Sequence, residues 1–588
     1  MKRCPQCGRE YDNTMMFCLD DGAELLYGPA SMDEPATAIL HSTAAPGEAP
    51  TRAQIHTTER TAVFPQGLEA EPRESLGGLA ERPSLSAHRA AKPLIAAVAA
   101  VVLLVGAYAG YRYFGIGGSS VINSIAVMPF ENRNSDADTD YLSDGLAESV
   151  IYRLSQIPDL KVSPTSSVFR YKGKETDPQV IAKELGVDSV MTGRITQRGD
   201  NLTISVNLVD TRNGKSLWGE QYERKLSQIL TTQREIVAEI VGKLQLKLSG
   251  ESEQKLAKKY TDNNEAYQLY LQGRYHLNKR QIPELEKAIV FFKQTIEKDP
   301  NYALAYSGLA DTYSVIPSRG DFRPKEYMPQ AKQAALKALE LDPNLAEAHT
   351  SLAQFTYYYE YDFAGAEKSY KRAIELNPNY AGAHQWYSLL LAQSGRHDEA
   401  NREITKAIEL DPFSFPINGV SYFQLIFAGR FDEAILQAKK RNELFPNEWE
   451  FRMFNSRVYA EQGKYDQAVE EFLLAAKAIK DFKPENIAKL KEAYEKGGWD
   501  GFGRMWQEIR LEDLNAKQTK DPNGYVKAID YANAYAWGKD KDKTIEYLNK
   551  AYDERERNMT ELKVNRAWDF VRDDPRFKEL VKRVGIPE

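Results

Sequence analysis

Cys4 and Cys7 stand two residues apart with a glycine directly after the second, and Cys18 follows eleven residues later. Two thiolates at that spacing, backed by glycine, form a tight knuckle whose amides support sulfur on zinc. These three cysteines all precede residue 19. A disulfide framework is therefore excluded, and any thiol chemistry is confined to the N-terminus. No other spacing in the chain carries a reaction. G-x-x-x-x-G-K-S/T, G-x-S-x-G, H-E-x-x-H and the kinase set are all absent. The glycines of GGWDGFG at 497–503 follow no strand and precede no charged phosphate partner. The chain is expected to bind rather than catalyse.

Residues 1–27 resemble a zinc ribbon, in which a second C-x-x-C-G knuckle faces the first. Here the second knuckle reads C-L-D-D-G, so Asp21 stands where a fourth cysteine would be. The resemblance implies a zinc site of Cys4, Cys7, Cys18 and Asp21, with Asp20 the less well-spaced alternative. A degenerate ribbon without metal, or one that borrows a ligand from a partner, remains open. So small a module has little core without a metal, which favours zinc. Lys2, Arg3 and Arg9 are offset by Glu10, Asp12, Asp20, Asp21 and Glu24, and the whole chain carries −7. Nucleic acid is therefore not an expected partner.

A chain of 588 residues exceeds one core, and 42% hydrophobic with 27% charged residues is the composition of a folded protein. Residues 28–92 hold seven prolines and no apolar period, which reads as a disordered tether. Pro93 to Tyr111 then contains no charged residue. Nineteen residues at ~1.5 Å rise cover about one hydrocarbon thickness. Tyr108, Tyr111, Tyr113 and Phe114 gather at its end as an interfacial belt. Residues 93–114 are thus expected to be a transmembrane helix. With more than ninety residues ahead of it, the run does not read as a cleavable signal peptide. Arg82, Arg89 and Lys92 precede it against Arg112 behind, which orients the N-terminus to the cytoplasm and residues after 115 to the periplasm.

Residues 121–226 alternate strand and helix patterns. SIAVMPF reads as a strand, YLSDGLAESVIYRLSQI as a helix, LKVSPTSSVFRY as extended and PQVIAKELG as a short helix. The strands that follow turn at Arg-Gly-Asp-Asn and Arg-Asn-Gly. A linking helix over 227–261 places Ile229, Ile236, Ile240 and Leu244 on or near one face. From 262 the chain repeats. Ala288, Ala331, Ala366, Ala400, Ala434 and Ala468 settle to a spacing of 34, and a proline follows each of the first five by twelve residues. Gly395, Gly429 and Gly463 recur at the same period. This joint phase resembles the tetratricopeptide repeat. The small residue lets two helices approach, and the proline closes one repeat before the next. One more repeat is expected near 525–552, with residues 573–588 ending the array.

The fold class expected is mainly α: an α-solenoid preceded by an α/β domain, one transmembrane helix and a ribbon-like module. His349 and His384 occupy equivalent repeat positions and read as packing residues rather than a metal pair. Tyr357–Tyr359 with Tyr361 either line a peptide groove or fill a turn inside a repeat. The α/β segment resembles the TolB N-terminal-like (FlgO-like) domain of bacteria. The matching landmarks are Pro129-Phe130, Tyr141 to Gly145, Lys172-Gly173-Lys174, Leu185-Gly186-Val187, Gly193 and Trp218. That resemblance implies assembly or signalling at the bacterial envelope and supplies no catalytic residues. The expected function is a protein-binding scaffold on the bacterial inner membrane, with protein or peptide ligands in the repeat groove. The rival is a single-pass transducer whose ribbon is the cytoplasmic output.

Overall fold

The computed structural model describes residues 122–134, 137–246, 248–444, 449–480 and 482–587, and three two-residue strands near the N-terminus. The chain divides into two units, Met1–Tyr108 and Ala109–Glu588. In the first, β1 (Lys2–Arg3) pairs antiparallel with both β2 (Glu10–Tyr11) and β3 (Leu26–Tyr27). Cys4 and Cys7 fall in the first connection, and Cys18 and Asp21 in the second. All four lie outside the described residues, as does the expected span at 93–114. Among the described residues no helix is long and apolar enough to cross a membrane.

The second unit begins with a sheet. Its order is β6 (Lys161–Val162), β4 (Ser124–Val127), β7 (Ser189–Arg198), β8 (Asn201–Asp210), β9 (Lys215–Lys225), with β5 (Glu131–Asn132) also paired to β7. β4 runs parallel to β6 and β7, whereas β7, β8 and β9 form antiparallel hairpins. The parallel strand is buried at every residue and reads as a continuous apolar run, while β8 alternates. Helices α1 (Ala137–Ser155), α2 (Thr165–Phe169) and α3 (Pro178–Leu185) connect these strands. The segment expected to be extended at 160–171 is a strand of two residues and then α2. Pro164 stands at the N-cap with extended backbone, where its missing N–H costs nothing. Helix α4 (Ile229–Lys243) lays Ile229, Ile236 and Ile240 into the same core as the sheet, and Leu244 follows them.

Short α5 (Gly250–Ala257) leads into six helical hairpins. They are α6 (Asn264–Asn278) with α7 (Ile282–Lys298), α8 (Ala303–Arg319) with α9 (Pro324–Leu341), and α10 (Ala346–Tyr358) with α11 (Phe363–Leu376). Next come α12 (Ala381–Gln393) with α13 (His397–Leu410), α14 (Phe415–Phe427) with α15 (Phe431–Leu444), and α16 (Glu450–Glu461) with α17 (Tyr465–Ala478). The six periodic alanines are at most 1% exposed, each in the second helix of its hairpin, which is the close approach their size predicts.

In five of the six hairpins the internal turn holds a left-handed residue two positions before the second helix, the exception being the turn between α8 and α9. Gly395, Gly429 and Gly463 supply it at φ 84°, 72° and 71°. Arg280 and Tyr361 hold the same position at φ 54° and 61° without being glycine, which is why the glycine period is incomplete in sequence. Between repeats, Asp299, Asp342 and Asn377 each accept the amide two residues on, across the following proline.

After α17 the period breaks. Helix α18 (Pro484–Lys520) kinks at Gly498, φ 58° and ψ −152°, inside GGWDGFG, where Trp499 stacks on Phe502 at 5.3 Å. A further hairpin, α19 (Ala528–Trp537) with α20 (Lys541–Asp553), stands where one more repeat was expected. It does not simply extend the row. Residues of α19, α20 and α21 (Pro575–Val584) share one core with Tyr357, Tyr358, Tyr387 and Leu390 of the third and fourth hairpins. The C-terminal segment therefore returns across the solenoid rather than closing its far end.

Candidate functional site

The concave side of a helical-repeat array is formed by the first helix of each hairpin. Here that side is already covered. Along one edge, the inter-repeat turns meet elements that precede the repeats. Thr261 donates to Asp299 at 2.5 Å, Lys258 pairs with Asp342 at 2.6 Å, and Lys255 donates to the Leu376 carbonyl at 3.2 Å. Asn379 donates to the Pro158 carbonyl at 3.2 Å, and Ser167 donates to Asp411 at 2.8 Å. Burial pushes the Asp411 carboxyl above its ordinary value, and the hydroxyls of Ser166 and Ser167 oppose this.

Deeper in the seam, α1 packs directly on α6. A Cβ at Gly145 would lie 2.9 Å from Leu271 Cβ, so the two helices approach as only glycine permits. Arg274 of α6 donates through Nε to Glu148 of α1 at 2.8 Å, and Asn278 donates to the other carboxylate oxygen at 2.7 Å. Tyr267 donates to Ser149 at 2.9 Å.

At the other end the C-terminal segment closes in. Arg557 lies over the Tyr358 ring at 4.3 Å and the Trp386 ring at 5.6 Å, and Thr560 donates to Gln393 at 2.9 Å. Tyr361 donates to the Glu556 carbonyl at 3.1 Å. The tyrosine run thus divides. Tyr357 and Tyr358 are buried beneath this segment, and Tyr361 fills the turn of its hairpin.

Between α1, the first helices of hairpins one to four, and Arg557 there remains a cavity of about 600 Å³. Its lining is mixed. Tyr270, Tyr302, Tyr380 and Trp386 give aromatic surface, and Arg280, Arg319, Arg557 and Glu347 give charge. Arg280 pairs with Asp311 at 3.5 Å. Arg319 has no ion pair among the described residues. Burial and then the like charges of Arg280 and Arg557 lower its proton affinity, with Glu450 opposing them. Glu347 makes no side-chain bond to another of the described residues, and burial raises its carboxyl to about 7.

His349 and His384 are far from any such role. Each ring places Nε2 3.0 Å from the carbonyl of the proline six residues earlier, Pro343 and Pro378, and Asn418 donates to Pro412 at the equivalent place at 2.9 Å. They tie the inter-repeat turns, where a packing role was expected. The docking use of Asp342, Asn379 and Asp411 was missed in sequence, because the same residues are already explained by the turn.

A tetratricopeptide-repeat family model matches residues 356–415 and 425–484, over hairpins three to six. The C-terminal region is a tetratricopeptide-repeat solenoid. A second model, the second domain of HilA/YgeH-like transcriptional regulators, matches 121–239, over the sheet and into α4. A Rhizobium meliloti (strain 1021) protein named "Putative adenylate cyclase 3" is 31% identical over 236 residues, 39% of each chain. The Salmonella typhimurium transcriptional regulator HilA is 23% identical over 292 residues, 49% of this chain and 51% of that protein. The chain thus spans about half or less of the curated relatives it matches. The crystal structure of PilW, a widely conserved type IV pilus biogenesis factor, is 15% identical over 37% of this chain and 96% of that one. Its TM-score of 0.31 marks a superposition too loose to add to the fold described above.

Proposed function

We propose that this chain is a non-enzymatic, membrane-anchored scaffold of the bacterial envelope, whose solenoid holds protein partners on faces its own domains leave free. The repeats support a protein–protein interaction scaffold, and that observation carries the reading. Hairpins one to four spend their concave side on the α/β domain and the C-terminal segment. Partners then meet the outer helices, where Val290 and Leu436 are 52% and 58% exposed. The uncharged run at 93–111 supports the anchor, and the TolB N-terminal-like landmarks support an envelope location. The test is a photo-crosslinker at Leu436 or Val290 of the full chain in native membranes, with a reporter at the C-terminus. Discrete protein adducts and a periplasmic reporter are expected. A cytoplasmic reporter, or no adduct from either position, would sink the proposal.

A second reading, a transducer with the ribbon as output, is favoured by one observation. Proteins named for different activities, a transcriptional regulator and an adenylate cyclase, are similar to a part of this chain. A module that accompanies different activities serves as an input that several outputs can share. In this chain the output is the ribbon, with zinc on Cys4, Cys7, Cys18 and Asp21. Two register pairs on one residue, Arg3 with Glu10 and Arg3 with Leu26, close the connections carrying these four residues back onto β1. Bound zinc would supply a structural cross-link there. One zinc per full-length chain is expected by elemental analysis, falling below half in Cys7→Ser. A metal-free wild-type chain refutes the site.

A further inference from the structure

The cavity is lined in part by side-chain amides that no neighbouring group among the described residues engages. Gln354 and Gln385 line it, are 7% and 5% exposed, and make no side-chain hydrogen bond among the described residues. Two such amides on adjacent first helices, both facing one space, describe a surface waiting for a polar ligand. The same space takes the guanidiniums of Arg280, Arg319 and Arg557. Among the described residues, Arg280 has an acid within ion-pair reach and Arg319 and Arg557 have none. Arg557 lies over the faces of Tyr358 and Trp386, which holds its guanidinium at the cavity without neutralising its charge.

The size of the space decides the class of occupant. About 600 Å³ lies in the ordinary range of small-molecule sites, roughly 300–1,000 Å³. An extended peptide running along the concave face would need the length that α1 and the C-terminal segment occupy. We infer that the cavity between the α/β domain and hairpins one to four binds a small organic anion, its carboxylate or phosphate among Arg280, Arg319 and Arg557, its body against Trp386, with Gln354 and Gln385 bonding its polar edge. Arginine forks suit both oxyanions, so the charged group is defined by chemistry and its source by experiment. Because both walls of the site belong to different domains, occupancy joins the α/β domain to the solenoid.

The test uses the full-length chain in lipid nanodiscs, with empty nanodiscs as reference. Phenyl phosphate, benzoate and the uncharged benzyl alcohol are titrated by calorimetry. One anion or both should saturate a single site per chain, and benzyl alcohol should not. Stronger binding of phenyl phosphate assigns a phosphoryl ligand, and stronger binding of benzoate a carboxylate. Arg319→Gln, which breaks no ion pair among the described residues, should weaken the anion at least tenfold while the thermal midpoint stays unchanged. Gln385→Leu should weaken it severalfold. Binding of neither anion, equal binding of benzyl alcohol, or an affinity indifferent to Arg319→Gln would overturn the inference.

Discussion

Replacing Arg274 by Ala is expected to destabilise the junction between the α/β domain and the solenoid by about 3–5 kcal/mol, the range for breaking one side of a buried ion pair. Glu148 is 8% exposed and accepts from Arg274 and Asn278, so truncating Arg274 leaves a carboxylate in the seam with Asn278 as its remaining donor. The cost falls on the neighbours of Gly145, where α1 and α6 are already in closest packing. Urea unfolding of the full-length chain, with hydrogen exchange read by segment, separates the two places the loss can appear. Amides of α1 should lose protection, and those of α19 and α20 should not. The double variant Glu148→Leu/Arg274→Met should recover most of the loss, because an apolar pair of similar volume removes the stranded charge. A loss under about 1 kcal/mol would mean that water reaches and screens this pair.

Glu347→Gln should act in the opposite sense and only above the ordinary carboxylate range. Burial is the main cause that raises this carboxyl to about 7, with Asp342 adding to it, while its own amide and Arg274 oppose. Between about pH 4.5 and 7 the unfolded chain has released the proton and the folded chain still holds it. Stability therefore falls as pH rises through that window, by at most about 3.5 kcal/mol at ~1.4 kcal/mol per pKa unit. Cavity water takes up part of that cost. The glutamine variant cannot ionise, so its thermal midpoint should exceed the parent's at pH 8 and match it at pH 4.5. Equal pH profiles for the two chains would show that Glu347 ionises freely in the fold.

Some of this architecture was legible residue by residue. Alanines at a 34-residue period predicted a close helix approach, and all six are buried at one. Turns at Gly199 and Gly214 were marked by Arg-Gly-Asp-Asn and Arg-Asn-Gly. Helix α2 was not legible, since Ser-Ser-Val-Phe has no period of its own and only Pro164 announces a start. Nor was the return of the C-terminus. Trp568, Phe577 and Leu580 show an apolar face in sequence, but nothing in their spacing names Tyr357 and Leu390 as what covers it.

The zinc site expected at Cys4, Cys7, Cys18 and Asp21 rests on sequence alone, because the expectation uses only ligand type and local spacing. The uncharged run and the repeat are likewise read locally, from causes that act within 19 or 34 residues. The tertiary structure decided what those periods could not encode: that the concave face is spent on the protein's own domains, and that Arg280, Arg319, Arg557, Gln354 and Gln385 meet around one cavity. The reason is range. A period reports which face of a helix is buried, whereas contacts such as Ser167 with Asp411 join residues 244 apart and exist only once the solenoid has curved around the sheet domain.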